Sequence, residues 1–283
     1  MKQILWPAIR LMNQLKMVYK FALISVLFLL PILALGYSLV SQLYTDIRTV
    51  EHELEGVEVV GQATNLYRMA LDYRDYRATA KLRGIGRLEQ ASLDLRIRVK
   101  NALAELETLP MGFDTNGDLR KQLAELQASW KTIVEEDVNQ MSLAPQLVYF
   151  ETFLAKVETF VTSAMQLSGI SLDASREMQF LVSLSGGHLL PSANLISRAR
   201  GAAIFALVEG RMSFDVSDLV NEIYDRASTI SIAAHSQLEV TLNASPLIRQ
   251  RLGAQAEDFT ATLLKVRNHL QEHVVSPMVL EMP

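Results

Sequence analysis

Apolar positions recur along most of this chain with gaps of three and four. The cleanest run is Leu147, Phe150, Leu154, Val157, Val161 and Ala164, with gaps of 3, 4, 3, 4 and 3. That is the seam of a helix packed in a bundle. Leu119, Leu123, Leu126, Trp130 and Ile133 make a second seam, and Leu88, Ala91, Leu95, Val99, Leu103 and Leu106 a third. A fourth is Leu252, Phe259, Leu263, Val266 and Leu270. No proline interrupts any of them. No comparable stretch alternates with period two, which argues against strands.

The stops between these runs are also legible. Leu109 to Gly117 (LPMGFDTNG) is a loop by composition, and Met141 to Pro145 marks a short break. Asp215, with Asp218 three residues on, suits a helix start. Ser245 reads as an N-cap, with Pro246 at the first helical position. Gly186 and Gly187, followed by Pro191, should break or kink the helix that begins near Ser175. Together these signals predict about seven helices, over 44–82, 85–108, 117–140, 145–168, 174–210 with a break, 214–243 and 246–275. The fold class is all-α. Short connections favour antiparallel neighbours, and the lengths suit two consecutive four-helix groups meeting near residue 142.

One stretch departs from this amphipathic pattern. Between Lys20 and Asp46 lie 25 consecutive residues without a formal charge, with Phe21 to Val40 (FALISVLFLLPILALGYSLV) at the centre. As a helix, such a stretch reaches roughly 37 Å, more than the roughly 30 Å hydrocarbon core of a bilayer. Pro31 is compatible with a span, because membrane helices tolerate proline. A cleaved signal peptide, with Ala34-Leu35-Gly36 as its small-residue site, is the alternative. The apolar run continues past that site and is long for a signal peptide.

Charge sets the expected orientation. Residues 1–20 carry Lys2, Arg10, Lys16 and Lys20 and no acid, whereas Asp46, Glu51, Glu53, Glu55 and Glu58 follow the span. Basic flanks stay in the cytoplasm. The expected layout is therefore a cytoplasmic tail over 1–20, a transmembrane helix over 21–43, a first periplasmic module over 44–142 and a second over 143–283. In a bacterium the anchor is in the inner membrane. Without the four basic residues of the tail, 23 Lys and Arg face 31 Asp and Glu, a net charge of −8. That balance argues against nucleic acid as a partner. The chain has no cysteine, so no disulfide framework holds the fold.

Three stretches carry a resemblance to a known family. They are the basic flank and span (KFALISVLFLLPILALGYSLV), RMALDYRDYRATAKLRG at 68–84, and EMQFLVSLSGGHLLPSANLISRARGAAIFAL at 177–207. Together they resemble the N-terminal sensory region of bacterial methyl-accepting chemotaxis proteins. Similar regions precede GGDEF (diguanylate cyclase) modules and histidine kinases. The resemblance implies a periplasmic helical bundle between two membrane spans, followed by a cytoplasmic linker and an output module. It also implies a homodimer that signals by helix displacement. This chain shows no second span after Val275 and no output module, so it is expected to be a receptor cut off within its sensor. A single-span envelope adaptor protein, with a natural stop after Pro283, is the alternative from another class.

The candidate ligand residues are arginines. Arg74, Arg77 and Arg83 fall on one predicted helix, and Arg198 and Arg200 on another. Arg74 and Arg77 are three apart and share a face. Guanidinium forks bind carboxylates and oxyanions in pairs of hydrogen bonds, so a small anion is the expected ligand. Tyr73, with Tyr67 and Tyr76, accompanies the first group and could reach a ligand with its hydroxyl. The competing reading is a solvated helix face on which Asp72 and Asp75 pair locally, with the tyrosines in the core. Arg200-Gly201-Ala202-Ala203 reads as a close helix contact.

Nothing in the sequence points to an enzyme, and no catalytic residue or cofactor is expected. His269-Leu270-Gln271-Glu272-His273 fits H-x-x-E-H, whose histidines could hold zinc on one helix face. Five residues match by chance often, and a polar helix surface is the preferred reading. Gly84-Ile85-Gly86 lacks the third glycine of a dinucleotide loop, and there is no P-loop or nucleophile elbow. His188 beside Gly187 reads as structural.

Overall fold

A computed structural model describes residues 16–80, 86–135, 143–172, 175–209 and 214–272. Among them the secondary structure is helical and no strand occurs. The elements are α1 (Met17–Ala80), α2 (Gly86–Thr108), α3 (Asp118–Glu135), α4 (Leu143–Leu167), α5 (Arg176–Leu184), α6 (Leu190–Glu209), α7 (Phe214–Ala244) and α8 (Pro246–Leu270). A short 3₁₀ turn, Ile170–Leu172, follows α4. The all-α expectation holds, and the helix ends expected at 108, 117, 168, 243 and 246 fall within one residue of the observed ones, whereas the stops expected at 82, 140, 210 and 275 lie outside the described residues.

The chain divides into two compact units, residues 1–51 and 52–283. In the first, the apolar residues from Phe21 to Tyr44 are exposed along α1. Among the described residues α1 is the one helix long and apolar enough to cross a membrane. Apolar side chains in that number, left unburied within the protein, fit a bilayer better than water.

The second unit is a packed bundle. Its largest core joins Val59, Ala63, Leu66, Tyr67 and Ala70 of α1 to the seams of α2, α3 and α4. Every position of the α3 seam is buried, as are Phe150, Leu154, Val157, Val161 and Ala164 of α4. The α2 seam is graded. Val99, Leu103 and Leu106 are buried, whereas Leu88, Ala91 and Leu95 are half-buried. The boundary expected near residue 142 lies outside the described residues, and this core draws on both sides of it. A second core packs Leu195, Ala199, Ala202 and Phe205 of α6 against Val216, Leu219, Val220 and Ile223 of α7. A third, smaller core joins Leu184, Leu238, Leu242, Ile248 and Ala256.

Local chemistry explains the helix ends. Both carboxylate oxygens of Asp114 accept from the start of α3, at 3.2 Å from Leu119 N and 3.0 Å from Arg120 N. They satisfy donors that have no partner within the helix. Ser175 Oγ accepts from Met178 N at 3.3 Å and caps α5. Ser245 occupies the cap position of α8 with Pro246 behind it, as read from the sequence, but its hydroxyl makes no capping bond. Proline's fixed φ is enough to start that helix.

The Gly186-Gly187 region takes a different form from a simple break. Ser185–Leu189 forms a π-helical turn between α5 and α6. The N–H of Leu190 donates to Ser185 O, five residues back. A proline ring crowds the carbonyl one turn behind it, and the wider turn makes room for Pro191. Ser192 Oγ donates to His188 O at 2.7 Å and holds the turn closed. His188 Nδ1 lies 3.1 Å from Ser183 O, in keeping with a structural role.

One contact between α1 and the end of α4 permits only glycine. Gly169, at φ +88°, ends α4 in the left-handed region that glycine favours. The turn brings buried Ser168 against Gly56 of α1. A methyl group on Gly56 would lie 2.2 Å from Ser168 Cβ and 2.9 Å from Ile170 Cδ1. Gly56→Ala is therefore expected to cost about 1–3 kcal/mol of stability through overpacking. Ser168→Gly in the same chain removes the nearer clash and should restore part of the loss. Urea unfolding of the two variants checks this; an undiminished midpoint for Gly56→Ala would show that the helices do not approach so closely.

Candidate functional site

Two of the sequence-selected arginines meet at a single carboxylate. Asp75, on α1, is 1% exposed, and its neighbour Arg74 is fully buried. Arg74 Nε donates to Asp75 Oδ1 at 3.0 Å. Arg74 Nη1 donates to Asn194 Oδ1 at 2.9 Å, and Nη2 to Ser197 Oγ at 3.0 Å. Ser197 in turn donates to Asp75 Oδ2 at 2.6 Å. Arg200 closes the cluster from α6. Its Nε and Nη2 lie 3.2 and 2.9 Å from Asp75 Oδ2, and Nη2 also lies 2.6 Å from Asp72 Oδ1.

The face is therefore not solvated. α1 and α6 approach closely enough that a methyl group on Gly201 would lie 3.2 Å from Asp75 Oδ1. That confirms the reading of Arg200-Gly201-Ala202-Ala203 as a close helix contact. Burial works against the charge of Arg200, but Asp75 above all, with Asp72, outweighs it and raises the guanidinium above its ordinary range. Arg200 is 40% exposed, so its outer side faces solvent. Its guanidinium also lies 5.7 Å from the centre of the Tyr76 ring.

The other candidates make contacts of their own. Arg77 Nη1 donates to the Tyr73 hydroxyl, and its guanidinium lies 5.7 Å from that ring's centre. Tyr73 is buried in an aromatic group, 4.9 Å from Trp130 and 6.0 Å from Phe150 between ring centres. Its ring is part of the core. Arg198 bridges other helices, with Nη1 3.4 Å from Glu151 Oε1 and Nη2 3.8 Å from Glu222 Oε2. Among the described residues its buried Nε has no hydrogen-bond partner. Arg83 lies outside the described residues.

The cluster performs the anion binding expected of arginines, but the anions it holds are carboxylates of the chain itself. A guest anion would have to compete with Asp75 and Asp72, and Arg200 is the arginine placed to meet one. Asn194 and Ser197 were not among the sequence candidates. The available signal was their spacing, since Asn194, Ser197 and Gly201 form a polar and small stripe at helical period in an otherwise apolar helix.

A second buried polar pair lies further back on α1. The Tyr67 hydroxyl donates to Glu158 Oε1 of α4. Burial raises the phenol well above its ordinary range, and the Glu158 hydrogen bond and charge add to this, against a weaker opposing effect of Arg74. Of the H-x-x-E-H string, His269 and Glu272 are described and His273 lies outside. Among the described residues no group of three or more His, Cys, Asp or Glu side chains could hold a metal ion.

In comparison with known proteins, the chain matches no family model, no curated protein and no solved structure.

Two measurements probe these polar contacts. Asp75→Ala leaves the buried Arg74 charge uncompensated and should cost about 3–5 kcal/mol. Arg200→Gln, at a part-exposed position, should cost much less. Urea unfolding of both variants reads the difference, and equal losses would contradict a central role for Asp75. For Tyr67 the sign follows from the raised folded value. Its contribution is complete below the unfolded phenol's pKa of about 10 and declines as pH rises beyond it. Tyr67→Phe should therefore flatten the fall in unfolding free energy above about pH 10, and parallel curves would refute the assignment.

Proposed function

We propose that this chain is the membrane-anchored, ligand-sensing input region of a methyl-accepting chemotaxis-type receptor. Its N-terminus is cytoplasmic and residues 44–283 are periplasmic. α1 carries the reading. Its early part exposes an unbroken apolar surface, and its later part supplies Val59, Leu66 and Tyr67 to the main core and Asp75 to the buried cluster. A ligand that prefers one packing of the bundle over another shifts the population toward that packing. Helix displacements of roughly 1–2 Å are the scale on which such changes operate. The protein works as a homodimer, and a small anionic ligand suits the part-exposed Arg200. The sensor of a membrane diguanylate cyclase or histidine kinase would use the same mechanics with a different output.

The absence of cysteine makes topology directly measurable. In cells with a permeabilised outer membrane, Glu125→Cys should react with a membrane-impermeant maleimide, and Lys16→Cys only after lysis. The reverse pattern would end the periplasmic reading. Sensing is tested on the full chain in nanodiscs by thermal unfolding against small carboxylates and oxyanions. A true ligand at a hundredfold its dissociation constant adds about 2.7 kcal/mol. A flat response, with an envelope protein co-purifying in stoichiometric amount, would favour the adaptor reading.

A further inference from the structure

A sizeable cavity shares no lining residue with the buried cluster. It is a groove of about 570 Å³ between α2 and α3. That volume is in the usual range for small-molecule sites. Leu103 and Trp130, both buried, form its floor. Ile97, which is 55% exposed, and Ala104 line it from α2, and Val134 from α3. The Trp130 ring is held from behind by Tyr73 and by Phe153, whose ring centre is 5.5 Å away. The floor is thus a rigid apolar surface set before any ligand arrives.

The rim is basic. Arg96, Lys100 and Lys131 line the groove, with Glu135 as the one acid among the lining residues. Lys131 and Glu135 pair with each other at 3.8 Å. Among the described residues neither Arg96 nor Lys100 has a carboxylate within ion-pair distance. The two are four residues apart on α2 and so project from the same face. Like charges at that spacing destabilise a helix. They stand in a unit whose acids outnumber its bases, so the pairing is not a by-product of a generally basic surface.

We infer that this groove binds a soluble anion with an apolar body, such as an arylalkyl carboxylate. The body lies on Trp130, Leu103 and Ile97, and the carboxylate accepts from Arg96 and Lys100. Desolvation of an exposed isoleucine and relief of the repulsion between the two cations both favour the bound state. This site stands on the groove's own geometry and does not depend on the receptor reading. A chain with the opposite topology, or one that fails the small-ion screen, would still carry it.

The test uses the full chain in phosphatidylcholine nanodiscs with 4-phenylbutyrate as probe. The protein has two tryptophans, so Trp6→Phe leaves Trp130 as the only reporter. Saturable quenching or enhancement of its emission is expected. Arg96→Gln with Lys100→Gln should weaken binding by about tenfold or more, the scale of charge-assisted hydrogen bonds. The same variant should leave the affinity for 4-phenylbutanol unchanged. Ala104→Phe, which fills an exposed side of the groove without adding a second tryptophan, should abolish the response to both probes, with helicity by circular dichroism confirming the fold. Absence of saturation up to about 10 mM would overturn the proposal, since that is weaker than a 4 kcal/mol site. So would equal affinity of the neutralised variant for 4-phenylbutyrate. Self-association that Ala104→Phe disrupts, without probe binding, would assign the groove to a second copy of the chain instead.

Discussion

A carboxylate buried to 1% exposure constrains everything packed around it. Asp75 cannot keep its charge there without compensation, because the desolvation of a lone ion is worth several kcal/mol. The chain supplies that compensation from two helices. Arg74 comes from its own helix, and Ser197 and Arg200 come from α6. The geometry leaves little freedom. Gly201 must lack a side chain, or a methyl group would press against Asp75 Oδ1. Asn194 must lie one turn from Ser197 to take the remaining face of Arg74. The register of α6 against α1 is thus set by polar matching, on top of apolar fit. Apolar contacts alone tolerate small slips; a network of directed hydrogen bonds does not.

The π-helical turn takes part in that register. α5 and α6 read as one long helical stretch, yet the five residues from Ser185 to Leu189 are wound differently from those on either side. A wider turn shifts the angular phase of the helix beyond it. Leu184 before the turn and Leu190 after it are both buried. The stripe of Asn194, Ser197 and Gly201 then meets Arg74 and Asp75, and the intervening Leu195, Ala199 and Ala202 meet α7. A single helix thus serves a polar contact on one side and an apolar core on another. Interruptions of this kind occur frequently at functional positions.

Much of this was legible in the sequence, for a physical reason. The seams on α3 and α4 follow a period fixed by helix geometry, so Leu119 to Ile133 and Phe150 to Ala164 declare their burial by spacing alone. Caps and breakers act over a few residues, and the end of α2 and the starts of α7 and α8 fall close to where Leu109, Asp215 and Ser245 indicated. The polar cluster was less accessible. Arg74, Asp75 and Arg200 could be seen as charges, but a charge has the same letter whether solvated or buried. Which it is depends on a partner more than a hundred residues away. Asn194 and Ser197 matter only because they face Arg74. Likewise the form taken at Gly186-Gly187-His188, a π turn in place of a break, depends on packing on both sides and not on the residues alone.

The two kinds of cation in this bundle differ in what they leave unfinished. Arg74 is fully engaged, with each of its nitrogens bonded inside the protein. Such a group gives specificity to the fold and has nothing to offer a guest. Arg200 is bonded on its inner side and open on its outer side, so a change there is felt by Asp75 directly. Arg96 and Lys100 line a groove whose floor is apolar and whose rim is basic, and among the described residues neither has a carboxylate within ion-pair distance. Burial, pairing and position thus sort residues of one chemical type into those that fix the fold and those that remain available to bind. Within this bundle the second kind of cation sits on helices whose packing the first kind helps to fix.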